Sequence, residues 1–185
     1  MWVYGILEEI DNKLGGVFVR RKDREIQDKD EIYDILKRCD TIRIAMHGDT
    51  YPYVVPVSFG MEIVNNKVVL YFHCAQQGMK VDLLKANHHV CVEGEIFRQI
   101  EKTAHGITAR YESVIGFGEC TFLSDHEEIL HAMKVLTEHY GQEEYPVDRC
   151  AGLDHLLAGK IVLNEIYGKK NLPGSLTPAD QMAKK

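Results

Sequence analysis

The sequence predicts a mainly β fold, a six-stranded antiparallel barrel with helices at its periphery. Three observations carry this expectation. After one helix the hydrophobic period switches to the alternation of strands. The first three strands follow one another with no helix between them, which a parallel α/β sheet would require. Further along, two long β-branched and aromatic runs and a closing strand complete a set too large for a single hairpin.

The elements follow in order. A helix is expected over about Asp28–Arg38: Asp28 is a capping residue, Glu31 stands three residues on, and Ile32, Ile35, Leu36 and Cys39 share one face. TIRIAMHG (41–48) and YVVPVSFGMEIV (53–64) read as strands joined by the turn-forming GDTYP. VNNKVVLYFH (64–73) follows, with Asn65-Asn66 as its hairpin turn, because Asn tolerates positive φ. These three segments are expected to form a meander. A short helix over about Gly78–Lys85 precedes the strands HVCVEGEIFRQI (89–100) and ITARYESVIGFGECTFL (107–123), the second bending at Gly116 or Gly118. Ser124 is expected to cap the next helix, with Glu127 at the capping-box spacing and Ile129, Met133, Leu136 and Tyr140 along one side. GKIVLNEIYG (159–168) is the closing strand. The barrel is expected to occupy 1–170 as one domain, and 171–185 to form a loose polar tail.

Composition excludes several classes of function. The 185 residues carry a formal net charge of −6, with 45% hydrophobic and 27% charged residues. Nucleic acid and anionic membranes select a basic face, so neither is expected as a partner. Every apolar run is broken by charge well before the ~18 residues a span needs, and the start lacks the basic and apolar regions of a secretory signal. Five scattered cysteines with no CxxC pair suit reduced thiols in a cytoplasm, and they argue against a zinc site. His88-His89 has no carboxylate nearby in sequence, and His126, His131 and His139 do not repeat at HExxH spacing. No metal is therefore expected. Gly116-Phe117-Gly118 lacks the strand-to-helix setting of a dinucleotide fingerprint, no GxSxG elbow is present, and Arg20-Arg21-Lys22 reads as a solvated basic run.

The stretch from Tyr71 to Lys80 holds the candidate chemistry. A strand ends at His73, a polar loop with one glycine follows, and Lys80 stands at a helix start. Helix N-termini offer outward N–H groups to anions, and a lysine adds full charge, so Gly78, Met79 and Lys80 form a candidate phosphate cradle. The alternative is an ordinary cap beside a solvated lysine. His73, at the mouth of that loop, carries an imidazole, the side-chain type suited to proton transfer; its alternative is a hydrogen-bonding residue at a strand end. Cys74 beside it reads as a small buried apolar residue or a redox-sensitive thiol.

PYVVPVSFG (52–60) followed by LYFHCAQQGMK (70–80) resembles the paired signature of the pyridoxamine-phosphate-oxidase-like flavoproteins, closest to the Nim-type 5-nitroimidazole resistance branch. RRKDREI (20–26), YESVIGFGE (111–119) and EIYGKKN (165–171) extend the resemblance along nearly the whole chain. The resemblance implies an FMN-binding split barrel, with FAD as a possible replacement, formed by a homodimer with flavin at the subunit interface. It implies that Val55, Pro56, Val57 and Ser58 face the isoalloxazine edge with backbone polar groups. Gly78, Met79 and Lys80 would hold the ribityl phosphate, and Ser113 and Val114 would come from the neighbouring subunit. His73 would be the proton donor, and Arg20-Arg21-Lys22 could lie near the interface. Lys80 is the only cation expected by the phosphate.

The implied function is an FMN-dependent oxidoreductase that passes electrons from NAD(P)H or a redox partner to a small organic acceptor such as a nitroimidazole. The C-terminal arginine-and-histidine signature of pyridoxamine-phosphate oxidase itself is absent, since the chain ends its last strand EIYGKKN. The alternative is a flavin- or haem-binding module of the same fold without turnover of its own, with His73 or His88 as a haem ligand.

Overall fold

The computed structural model describes residues 19–173 apart from residue 105. Most of the tail expected at 171–185 lies outside the described residues. Eight strands form one antiparallel sheet: β1 (Glu25–Ile26), β2 (Ile42–Met46), β3 (Tyr53–Val57), β4 (Gly60–Val64), β5 (Lys67–Ala75), β6 (His89–Thr103), β7 (Gly106–Phe122) and β8 (Leu156–Asn171). Three helices accompany them: α1 (Lys29–Arg38), α2 (Met79–Ala86) and α3 (His126–His139). No helix among the described residues is long and apolar enough to cross a membrane.

The mainly β class holds, but the expected meander does not. Residues 53–64 are two strands, not one, and β3 and β4 lie at opposite ends of the path β3-β2-β6-β7-β8-β5-β4. Only Ser58 and Phe59 link them, and two residues span less than about 10 Å. The two ends of the sheet are therefore held together, and the sheet must curl into a barrel. Phe59, fully buried in the core, is the pivot: its side chain anchors the link while the chain changes from one sheet edge to the other. This split, together with the two-residue β1 paired to β8, raises the strand count above the expected six.

The barrel interior is filled by alternate residues of each strand. Ile42, Ile44, Val92, Val114, Ile161, Leu70 and Phe72 meet there, with Ile32, Ile35 and Leu36 of α1 packed on the same cluster. Gly94 and Gly116 face inward on β6 and β7 and keep that space open. β5 is buried on both faces, Val68 to Phe72, because Val69 and Tyr71 turn outward onto α3. There they meet Ala132, Met133 and Val135 in a second cluster.

Local signals act largely as expected. Asn65 and Asn66 have φ of 51° and 62°, the left-handed pair that a tight hairpin needs. Asp28 caps α1, its carboxylate accepting from the Asp30 N–H at 2.9 Å. For α3 the cap is Asp125 and not Ser124: the Asp125 carboxylate accepts from the Glu128 N–H at 3.0 Å. A carboxylate one residue later satisfies the same orphan donors and adds negative charge at the positive helix end. Beyond α3, the Tyr140 hydroxyl donates to the Asp40 carbonyl at 2.7 Å and accepts from the Phe59 N–H at 3.1 Å, tying the helix to the pivot.

Candidate functional site

β3 pairs with β2 alone, Val55 opposite Ile44 and Pro56 opposite Arg43. Its other edge has no strand beside it among the described residues and offers backbone polar groups to a ligand. Val55 and Val57 turn toward the core, whereas Pro56 and Ser58 are exposed. On the other side of the pivot, Gly60 pairs with Tyr71. Ser58 lies two residues before that pair and His73 two after it, so the Ser58 corner and His73 share one rim of the barrel. His73 is exposed, at the outlet of β5.

The loop after β5 leads into α2 through Gly78, whose φ of +132° is a region that side chains rarely occupy. No atom lies within 4 Å of where a Cβ would stand on Gly78, so the helix N-terminus opens on free space. The N–H groups of Val81 and Asp82 turn inward to the Gly78 carbonyl at 2.9 and 3.1 Å. Those of Gly78, Met79 and Lys80 precede them in the first turn, where helix donors have no intrahelical acceptor. Met79 is 56% exposed, and the Lys80 ammonium lies 5.5 Å from the Phe72 ring centroid. The Lys80 side chain is thus held against the Phe72 ring.

Cys74 is half-buried against the core, and burial raises its thiol above the ordinary value although Lys80 opposes the shift. Burial likewise pushes Cys120 up to about 12. Both thiols are protonated at neutral pH, so Cys74 is a packing residue and not an activated nucleophile.

Ser113 and Val114 stand elsewhere. Val114 is buried in the core and presents only its backbone outward, while Ser113 is half-exposed on the outer face of β7. Ser113 pairs with Lys169 on β8, and His73 pairs with Ala158 on the same strand. Eleven residues of β8 separate those two positions, about 35 Å of strand at about 3.3 Å per residue. One chain therefore brings the PVS corner and His73 to one rim, with the Gly78–Lys80 turn five to seven residues further along, but leaves Ser113 and Val114 at a distance.

Two further groups come together only in three dimensions. His88 and His89 stack with ring centroids 4.4 Å apart, and Glu119 faces them from β7, its carboxylate 4.0 Å from His88 Nε2. The carboxylate that the local sequence lacks is supplied across the ladder, where His89 pairs with Glu119, and all three side chains are exposed. On α3, His131 Nε2 lies 3.0 Å from Glu62 Oε1, which also accepts from the Tyr71 hydroxyl at 2.6 Å. His139 Nε2 donates to the Cys39 carbonyl at 2.8 Å. These two histidines fasten α3 to the barrel.

The profile of the family described as pyridoxamine 5'-phosphate oxidase matches residues 28–170. The chain belongs to that family. Among solved structures, a candidate 5-nitroimidazole antibiotic resistance protein from Bacteroides thetaiotaomicron is 28% identical over 78% of this chain and 85% of that one, with a TM-score of 0.67. The flavocytochrome Anf3 from Azotobacter vinelandii is 15% identical over 90% of this chain and 78% of that one, with a TM-score of 0.73. An FAD-binding protein from Mesorhizobium loti is 23% identical over 80% of this chain and 98% of that one, with a TM-score of 0.59. At those last two identities the likeness is one of fold. No curated protein matches the chain.

Besides Glu119 at the His88-His89 pair, a second group is not visible in the sequence. Arg20 and Arg21 line a cleft with Ser113 and Lys169 that neither basic run announces alone. The runs RRK and KK were visible, but their meeting depends on the pairing of β1 with the end of β8.

Proposed function

We propose that this member of the pyridoxamine 5'-phosphate oxidase family is a flavin-dependent reductase acting on a small organic acceptor of the nitroaromatic kind. The observation that carries the reading is exposed His73 opposite the Ser58 corner at one barrel rim, between the free edge of β3 before the corner and the open first turn of α2 that follows β5. That set fits a flavin. A flat, largely apolar ring with one hydrogen-bonding edge suits an apolar strand with free backbone groups. A phosphate suits unpaired helix N–H groups beside a lysine.

FMN, or FAD in its place, would be held by Val55, Pro56, Val57 and Ser58 along the ring edge and by Gly78, Met79 and Lys80 at the phosphate. When bound, it would supply two-electron transfer between an NAD(P)H or protein donor and the acceptor. The chain's own part is positioning and proton supply. β3 is fixed by its five-residue pairing with β2, so it presents its edge without rearrangement. His73 stands exposed at the rim, where its ring could pass a proton to the acceptor and take one up from water. A homodimer is part of the reading, because Ser113 and Val114 reach such a site only from a second copy. A cytoplasmic setting accords with five free cysteines.

The test is the absorbance spectrum of the purified protein, with identification of any ligand released on denaturation, followed by NAD(P)H-dependent reduction of a nitroimidazole. Flavin bands, released FMN or FAD, and turnover lowered about 100-fold by His73→Ala with flavin retained would support the reading. A protein that neither carries nor takes up flavin would end it, and a Soret band would redirect it to haem.

A further inference from the structure

At the start of β6 three metal-ligating side chains meet: His88, His89 and Glu119, each offering a ligand atom within 4.8 Å of the other two. We propose that they bind a divalent first-row transition ion, with zinc as the reference case. The site shares no residue with the flavin site proposed above and does not depend on it.

Strand geometry alone does not bring these groups together, because neighbouring residues of a strand point to opposite faces. His88 lies just before β6 and escapes that alternation. Its ring stacks on that of His89, with centroids 4.4 Å apart and planes inclined by 28°. The backbone of β7 holds the pair in place. The Cys120 N–H donates to the His88 carbonyl at 2.8 Å, and His89 pairs with Glu119 in the β6–β7 ladder. That register brings the Glu119 carboxylate to 4.0 Å from His88 Nε2, beyond hydrogen-bonding reach.

Asn87 prepares His89 as a ligand. Its side-chain oxygen accepts from the His89 backbone N–H at 3.0 Å and meets His89 Nδ1 at 3.1 Å. A backbone N–H can only donate, so the shared atom is the amide oxygen and Nδ1 must carry the proton. In the neutral ring that leaves the Nε2 lone pair free. Metal-binding histidines acquire their tautomer and orientation from a partner of this kind. Asn87 also closes the C-terminus of α2, whose carbonyl end carries partial negative charge and favours a nearby cation.

The donors choose the ion. Two imidazole nitrogens and one carboxylate suit zinc and its first-row neighbours, whereas calcium and magnesium call for oxygen ligands. Bonds of about 2.0–2.2 Å hold tetrahedral ligands about 3.4 Å apart. All three side chains are exposed, so small rotations close the present gaps without disturbing the core. Three protein ligands leave a further position to water.

Calorimetric titration of the untagged full chain with zinc, after dialysis against a chelator, tests the proposal. One zinc per chain is expected, with affinity reduced at least about tenfold by His88→Ala and by Glu119→Gln. His126→Ala, which removes an exposed histidine on α3, leaves binding unchanged. Magnesium in about a hundredfold excess does not compete. Melting temperatures of the metal-free variants equal to that of the unaltered chain establish folding. No zinc binding, a smaller loss in either variant, or competition by magnesium would overturn the proposal. An equal loss in His126→Ala would also overturn it, since that marks an adventitious ion only, shared among surface histidines.

Discussion

Ser113 and His73 face β8 from opposite sides, and the residues they pair with, Lys169 and Ala158, are eleven positions apart on it. In the homodimer proposed above, the two residues would reach one flavin from different molecules. Chains carrying Lys80→Glu and chains carrying Ser113→Arg are therefore each expected to lose flavin. Refolded together in equal amounts, they should recover about a quarter of the native sites if the proposed homodimer forms, since half of the dimers would be mixed and each would hold one intact site. Fluorescence of bound flavin measures this, and no recovery on mixing would mean that the two residues act within one chain's site and not across two chains.

Glu112 is the most consequential buried charge. Its carboxylate is 4% exposed and accepts from Arg38 at 2.7 Å and from Arg98 at 2.6 and 2.8 Å. It joins α1 to the β6–β7 hairpin. Glu112→Gln leaves two partly exposed guanidinium groups without their shared counter-charge. The expected loss is about 2–3 kcal/mol, below the range for fully buried pairs because both arginines reach water. For a chain of this size that is a drop of about 5–10 °C in melting temperature.

Acid should act through the same carboxylates. The bonds from Arg38 and Arg98 hold the Glu112 carboxyl below its ordinary value despite its burial. For Glu62, burial pushes upward, and the bonds from Tyr71 and His131 outweigh it to leave the carboxyl lowered. A lowered carboxylate stabilises the fold fully above its unfolded value of about 4.3 and loses that contribution as pH falls through the lowered one. The melting temperature is expected to fall steadily below about pH 4.3. Glu62→Gln should start less stable and fall less, and parallel curves for the two proteins would remove Glu62 from the account.

Much of this was legible in the sequence because it is local. Asp28, the Asn65-Asn66 turn and the alternation of β2 and β7 are decided by neighbours a few residues away. The break at Ser58-Phe59 was not, because YVVPVSFGMEIV alternates without interruption and only the buried Phe59 ring makes it a corner. The PVS corner and the Gly78–Lys80 turn were found by motif. Glu119 beside His88, and Lys169 beside Arg20, depend on ladder register between strands far apart in sequence, to which no local pattern is sensitive.

Gly159 shows how tightly that register is enforced. It pairs with Phe72 across β5 and β8, and a Cβ there would stand 2.3 Å from Cζ of the Phe72 ring. Phe72 is fully buried, so the ring cannot swing into solvent, and Gly159→Ala must shift a strand or expel the ring. Overpacking of this kind costs about 1–3 kcal/mol. Because Lys80 lies over the same ring, the damage should reach the Gly78–Lys80 turn, and if that turn holds the flavin phosphate as proposed, FMN affinity should fall along with the melting temperature. The double substitution Gly159→Ala with Phe72→Leu is expected to regain part of both. A variant that melts lower but binds FMN unchanged would show that the Phe72 ring does not position Lys80.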